Sequence, residues 1–269
     1  MALANKADCS DFFLPVNPNC TTTTTTSSSS STTTTSTTSS TTTTTTSDYP
    51  IVTTTTTTTI SPSIYGLLYN WFAASNPLLA PVGWRVTTDS DWTGLFSSLG
   101  STTVPMKSIG NMTDGTGLWL KASNPAMEGT NTSGFKINPS GVVGNTGVMS
   151  GRHAYANFWG SGSRSLTLGD YRNFGYNGNT MYSSPIHYLK NYGFDIRLVT
   201  DNTSGYTPGS TGTLIDIDGN IYPTKMMPDG KVWMTENLRT SRYTNGVYIP
   251  VDPIDWSTTI IGAIHTYTL

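Results

Sequence analysis

The sequence predicts an α+β head of short strands with one or two helices, preceded by an extended, β-like fibrous stalk. Three observations carry that reading. Residues 21 to 47 are threonine and serine only, one later segment has a complete set of helix start and stop signals, and the rest alternates short apolar runs with turn-forming glycine, asparagine and aspartate.

The stalk comes first in the chain. After the insert Asp48-Tyr49-Pro50-Ile51-Val52 the run resumes as Thr53 to Thr59. Such a tract has no apolar face, so it does not build a core of its own. Threonine is β-branched and stiff at χ1, which favours extended backbone over helix. An extended polar chain becomes orderly when copies run side by side and share backbone hydrogen bonds, so a homo-oligomeric fibre, most simply a trimer, is expected. Fully extended, residues 21–60 would reach roughly 130 Å at about 3.3 Å per residue. Ahead of the tract, residues 1–20 hold the apolar patch Phe12, Phe13 and Leu14, an expected anchor onto a larger assembly.

Residues 61–269 are expected to form the head. Thr88 is a good N-cap with Asp91 three residues on; Trp92, Leu95, Phe96 and Leu99 share one face, and Gly100 stops the helix. Later, Leu214 to Ile217, Ile221 to Met227 and Val232 to Met234 read as strands joined by the turns Asp218-Gly219-Asn220 and Pro228-Asp229-Gly230.

Composition narrows the function classes. Charged residues make up 11% of the 269, with a net charge of −2, against about 25% charged in ordinary soluble domains. A surface this neutral has no basic stripe, so nucleic acid is not an expected partner. No run reaches the roughly 18 apolar residues that cross a membrane, and the N-terminus lacks the features of a secretory signal. Cys9 and Cys20 both precede the stalk, leaving the head without a thiolate metal site or cysteine nucleophile; whether the two pair is open.

Tyr65-Gly66-Leu67-Leu68-Tyr69-Asn70-Trp71-Phe72-Ala73 and Ala80-Pro81-Val82-Gly83-Trp84-Arg85-Val86-Thr87-Thr88-Asp89-Ser90-Asp91-Trp92, with Gly134-Phe135 and Gly193-Phe194-Asp195-Ile196-Arg197-Leu198-Val199, resemble the Fibrobacter succinogenes major paralogous domain. The resemblance implies a fold like that of C-type lectins and formylglycine-generating enzymes. Asp216-Ile217-Asp218-Gly219-Asn220-Ile221-Tyr222 and Val232-Trp233-Met234-Thr235-Glu236-Asn237-Leu238 look like the start of that family's domain, yet here they come last. The head therefore reads as circularly permuted: a main part 61–200, a linker 201–212 joining the old ends, and a displaced part 213–269. That last part completes either its own chain's domain, the favoured arrangement, or a neighbour's.

Catalysis is not expected. Formylglycine-generating enzymes work through cysteines that this head lacks, and His153, His187 and His265 sit in no metal or triad motif. Asp216, Asp218 and Asn220 alternate oxygen groups that would suit calcium, but the later glutamate is missing and Asp-Gly is itself a hairpin turn, so no metal or other cofactor is expected. The richest segment is 152–191, where Tyr155, Arg164, Tyr171, Arg172, Asn173, Tyr176, Asn177, Asn179, Tyr182 and Tyr188 stand among glycines and serines. Flat aromatic area beside adaptable amides is the composition of antibody loops and suits sugars. Trp159, by its resemblance to a core tryptophan of the family, is assigned to packing. The expectation is a non-catalytic phage fibre or decoration protein on the virion surface, assembled in the host cytoplasm, anchored by its N-terminus and binding host glycans or proteins. The alternatives are a bacterial adhesin with a glycosylated stalk and a purely structural, particle-stabilising protein.

Overall fold

The computed structural model describes residues 39–45, 51–57, 64–181, 187–253 and 255–267, so the anchor residues Phe12, Phe13 and Leu14, both cysteines, and Tyr182 lie outside it. The chain divides into two compact units, Met1–Thr59 and Ile60–Leu269.

In the first unit, β1 (Ser39–Thr45) and β2 (Ile51–Thr57) are antiparallel partners, in register from Ser39 opposite Thr57 to Thr45 opposite Ile51. The extended backbone that threonine favours is present in both strands. They pair with each other, however, so between residues 39 and 57 the chain doubles back. A single unbroken run of roughly 130 Å, at about 3.3 Å per residue, does not hold over this stretch.

The second unit contains β3 (Leu68–Tyr69), the single turn α1 (Trp71–Ala74), β4 (Arg85–Val86), α2 (Asp89–Ser98), a 3₁₀ turn (Pro125–Met127), β5 (Val142–Val143) and β6 (Met149–Ser150). It continues with β7 (Tyr155–Ser163), β8 (Leu168–Gly175), β9 (His187–Leu189), β10 (Leu198–Thr200), β11 (Thr211–Ile215), β12 (Ile221–Met226), β13 (Val232–Met234) and β14 (Ile264–His265). The head is thus α+β with strand dominant. Among the described residues α2 is the one helix longer than two turns.

The helix begins where its caps dictate. The Thr88 side chain accepts from the Asp91 backbone while the Asp91 carboxylate accepts from the Thr88 N–H at 2.7 Å, a full capping box. Trp92 and Leu95 on its inner face are buried, and Gly100 follows with φ +86°.

The main sheet is antiparallel in the order β11-β12-β13-β10-β4. Its centre joins distant parts of the chain, with Val199 opposite Trp233 and Thr200 opposite Val232. Residues 211–234 therefore complete the sheet of their own chain, and β14 pairs with β3 in the same way. A second sheet has the order β7-β8-β9.

Two aromatic cores flank β7 and β8. In one, Trp92 has Phe135, Phe158, Phe174 and Trp233 at ring-centre distances of 5.0–5.7 Å. In the other, Trp159 is fully buried, lies 4.4 Å from Phe194 and donates its Nε1–H to the Tyr69 carbonyl at 2.8 Å. Its place is structural. Asp216 and Asp218 are likewise held by the protein: Asp216 accepts from the N–H groups of Asp218 and Asn220 and from the Tyr222 hydroxyl, and Asp218 accepts from Thr240, Ser241 and Arg242. Their carboxylates shape the hairpin turn.

An ion network fastens α2 to the sheet. Asp91, almost wholly buried, pairs with Arg85 of β4 and with Lys231, and both cations also bind Asp201. Burial alone would raise the Asp91 carboxyl, but Arg85, Lys231 and Thr88 outweigh it and hold the group well below the usual carboxylate range. A depressed folded-state value stabilises above the unfolded value, near pH 4, and that contribution disappears as pH falls. Urea unfolding should therefore show stability declining below about pH 4. Asp91→Asn should cost about 1–2 kcal/mol at pH 7, since it removes the carboxylate from Arg85 and Lys231, which are partly exposed and keep Asp201, and should flatten the acid limb.

Candidate functional site

Four of the residues expected to bind, Tyr155, Tyr171, Arg172 and Asn173, lie on β7 and β8, which are covered on both faces. Phe158 and Phe174 point into the Trp92 core, and Trp159 and Tyr171 into the Phe194 core. The usual alternation of buried and exposed positions is therefore suspended over the middle of these strands. Tyr171 is 8% exposed, with its ring 5.2 Å from both Tyr188 and Phe194. Burial pushes its phenol up to about 12. Arg172 is also buried; it donates to the Tyr171 carbonyl at 3.0 Å and pairs with Asp89 at the start of α2. These two, expected at the surface, are packing groups because the sheet has a core on each side.

The remaining residues separate to the two ends of the sheet. At one end, Arg164 is exposed and reaches Asp170 at 2.8 Å, while Tyr188 is half-buried against Tyr192. At the other end, Tyr155 stands opposite Gly175, followed by Tyr176, Asn177 and Asn179. Gly169 to Gly175 spans about 20 Å at about 3.3 Å per residue, so one compact ligand does not touch both ends.

The Tyr155 end has the stronger geometry. Tyr155 is 44% exposed, Asn177 and Asn179 are exposed, and Asn173 and Tyr176 are half-buried. The loop that carries them is tied from several sides. Tyr176 N–H donates to the Ala154 carbonyl at 2.9 Å, Thr103 N–H to the Asn179 carbonyl at 2.8 Å, and Ser123 N–H to Asn177 Oδ1 at 2.9 Å. Asn173 Nδ2 is fixed on Asn157 Oδ1 at 2.8 Å.

Beneath the loop lies a buried cation. Lys107 is 1% exposed, and its Nζ donates to the carbonyls of Met127 at 2.5 Å, Gly178 at 2.9 Å, Gly175 at 3.2 Å and Tyr176 at 3.4 Å. One ammonium thus satisfies carbonyls that no strand partner reaches. The phenol of Tyr155 and the side-chain amide of Asn179 remain without a partner among the described residues, available above a fixed backbone. Sequence reasoning missed Lys107 because it lies between Met106 and Ser108 in no motif, and its four acceptors come from two separate loops.

The histidines stay apart in local roles. His153 contacts the Leu118 carbonyl at 2.8 Å, His187 lies 3.3 Å from Asp170, and His265 pairs with Asp252. Among the described residues no group of three or more His, Cys, Asp or Glu is placed to hold a metal ion.

Burial lowers Lys107 to about 8, against a smaller opposing pull from Glu128. With the folded-state value below the unfolded one, the unfolded chain holds the extra proton at mildly alkaline pH, and this group's contribution to stability rises with pH from about 8 upward. Deprotonation also removes one of the donors that hold the loop. The backbone amide NMR shifts of Tyr176 to Asn179 should titrate with a midpoint near pH 8, and Lys107→Met should abolish that titration.

Comparison with known proteins adds one match: the family model of the Fibrobacter succinogenes major domain aligns with residues 16–200. No curated protein and no solved structure matches. The matched span runs from before the threonine tract to the end of β10 and leaves β11 to β14 outside it. Covering well over half of the 269 residues, it places the chain in the Fibrobacter succinogenes major domain family.

Proposed function

We propose that the head is a non-catalytic, C-type-lectin-like binding module, carried on the threonine/serine stalk of a phage fibre or decoration protein and directed at host-surface glycans or proteins. The contact face is the Tyr155 end of the second sheet, with Tyr176, Asn177 and Asn179. One observation carries the reading: the loop Gly175 to Asn179 is held by the Lys107 ammonium and by Ala154, Thr103 and Ser123, while the Tyr155 ring and the Asn179 amide project free beside it. A surface fixed before it meets its ligand loses little conformational entropy on binding. Aromatic faces take the C–H side of a sugar or a peptide side chain, and free amides take hydroxyls or backbone groups.

We take the head to be circularly permuted. The pairing of β13 with β10 in one chain supports this, because the segment resembling the family's opening hairpin closes the sheet from the far end of the sequence. The short linker fits the nearness of chain ends usual in compact domains.

Particles or purified protein carrying Tyr155→Ala, Tyr176→Ala or Asn179→Ala should bind host cells about 10- to 30-fold more weakly, the effect of losing a contact worth roughly 1.4–2 kcal/mol. Unchanged adsorption by intact particles would instead favour a purely structural role. The fibre reading also predicts a solution mass of three chains in analytical ultracentrifugation; a single-chain mass counts against it.

A further inference from the structure

A second concave surface lies on the head, lined by residues that the Tyr155 face does not use. It is a cleft of about 520 Å³ whose lining includes Ser108, Ile109, Lys136, Asn138, Glu236 and Arg239. That volume is within the range of small-molecule sites, about 300–1,000 Å³.

Its charge balance runs against that of the chain. Lys136 and Arg239 flank Glu236, at 3.4 Å and 3.5 Å from its two carboxylate oxygens. Both contacts are long, and one carboxylate does not saturate two cations. A third cation sits under the floor. Arg197 is 1% exposed and donates to the Lys136 carbonyl at 3.0 Å and to Asn237 Oδ1 at 2.7 Å. Burial lowers Arg197 only to about 9, so it stays charged at neutral pH. Its acidic neighbour Asp195 is pushed by burial well above the usual carboxylate range. Two cations, Lys136 and Arg239, therefore share the one carboxylate of the cleft lining, Glu236, above the buried Arg197, in a chain whose net charge is −2.

The uncharged lining fits a sugar ring. Ile64 and Ile109 are 65% and 64% exposed, offering apolar surface to C–H groups. Asn131 and Asn138 each use one end of the side-chain amide internally, Asn131 Oδ1 accepting from Lys136 N–H at 2.9 Å and Asn138 Nδ2 donating to the Ile64 carbonyl at 2.9 Å. Their other ends have no partner among the described residues and remain for hydroxyls. Arg239 is prepositioned, stacked 4.4 Å over the Tyr222 ring and donating to the Ile221 carbonyl at 2.7 Å. We propose that this cleft is a separate binding site for a carboxylate-bearing saccharide of the uronic-acid class, its carboxylate between Lys136 and Arg239 and its ring on Ile64 and Ile109.

The site does not depend on the Tyr155 face, and calorimetric titration of the full chain separates the two. Trigalacturonate should bind, more weakly at high salt, with the neutral galactotriose at least tenfold weaker. Lys136→Asn, which suits the positive φ of 55° at that position, should weaken trigalacturonate about tenfold or more. Glu236→Gln should tighten it, a sign that a merely structural role does not produce, and Tyr155→Ala should leave it unchanged. Unaltered melting temperatures for Lys136→Asn and Glu236→Gln exclude misfolding as the cause. No binding at millimolar trigalacturonate, equal binding of the neutral sugar, tighter binding of a glutamate trimer, loss on Tyr155→Ala, or no effect of Lys136→Asn would each overturn the proposal.

Discussion

A fold built largely of loops has many backbone carbonyls that no ladder reaches, and a buried carbonyl without a donor is costly. Here cationic side chains supply the donors. Lys107, Arg172, Lys190, Arg197, Lys225, Arg239 and Arg242 each donate to at least one main-chain carbonyl. The chain has 14 lysines and arginines, and among the described residues at least half that number are spent this way. Arg197 is the central case: its guanidinium binds the carbonyls of Phe135, Lys136 and Met234 and the Asn237 side chain, with Phe135 4.8 Å away on one side. It joins the start of β10, the loop after Ser133 and the stretch following β13. The sparse charge of the sequence is therefore a matter of allocation, since Lys107 and Arg197, both buried, each bind three or more carbonyls.

How much of this was legible depended on whether the signal was local. The α2 caps and the two hairpin turns follow from a few neighbouring residues, the packing role of Trp159 from the family resemblance, and the structure has them where the sequence puts them. Tyr171 and Arg172 did not read correctly because composition alone does not reveal a strand with a core on both faces. The Lys107 cage and the cleft were invisible for another reason: each is assembled from loops far apart in sequence, at positions that carry no motif. In the threonine tract, a uniform sequence specifies extended backbone but not its partner. The register of β1 with β2 is consequently a property of the chain's return rather than of any one side chain.

Membership of the Fibrobacter succinogenes major domain family fits this division. The residues that carry the resemblance, from Tyr65 to Trp92 and from Gly193 to Val199, contribute to both cores and form one end of the main sheet. The loop Gly175 to Asn179 and the Lys136 and Asn138 side of the cleft, by contrast, lie outside those segments. A scaffold of this kind separates what must be kept from what can vary.

The order of strands in the main sheet also governs when the head can form. Strand β13 lies between β12 and β10, and β14 closes on β3 across nearly 200 residues of sequence. During synthesis, β4 and β10 leave the ribosome with an open edge and must wait for β13 to fill it. Such distant pairings are slow to close, and the waiting edge is prone to pair with the wrong strand. Nascent chains of this protein therefore pass through a vulnerable interval that ends only as the last strands emerge, and chaperone demand during production should concentrate there.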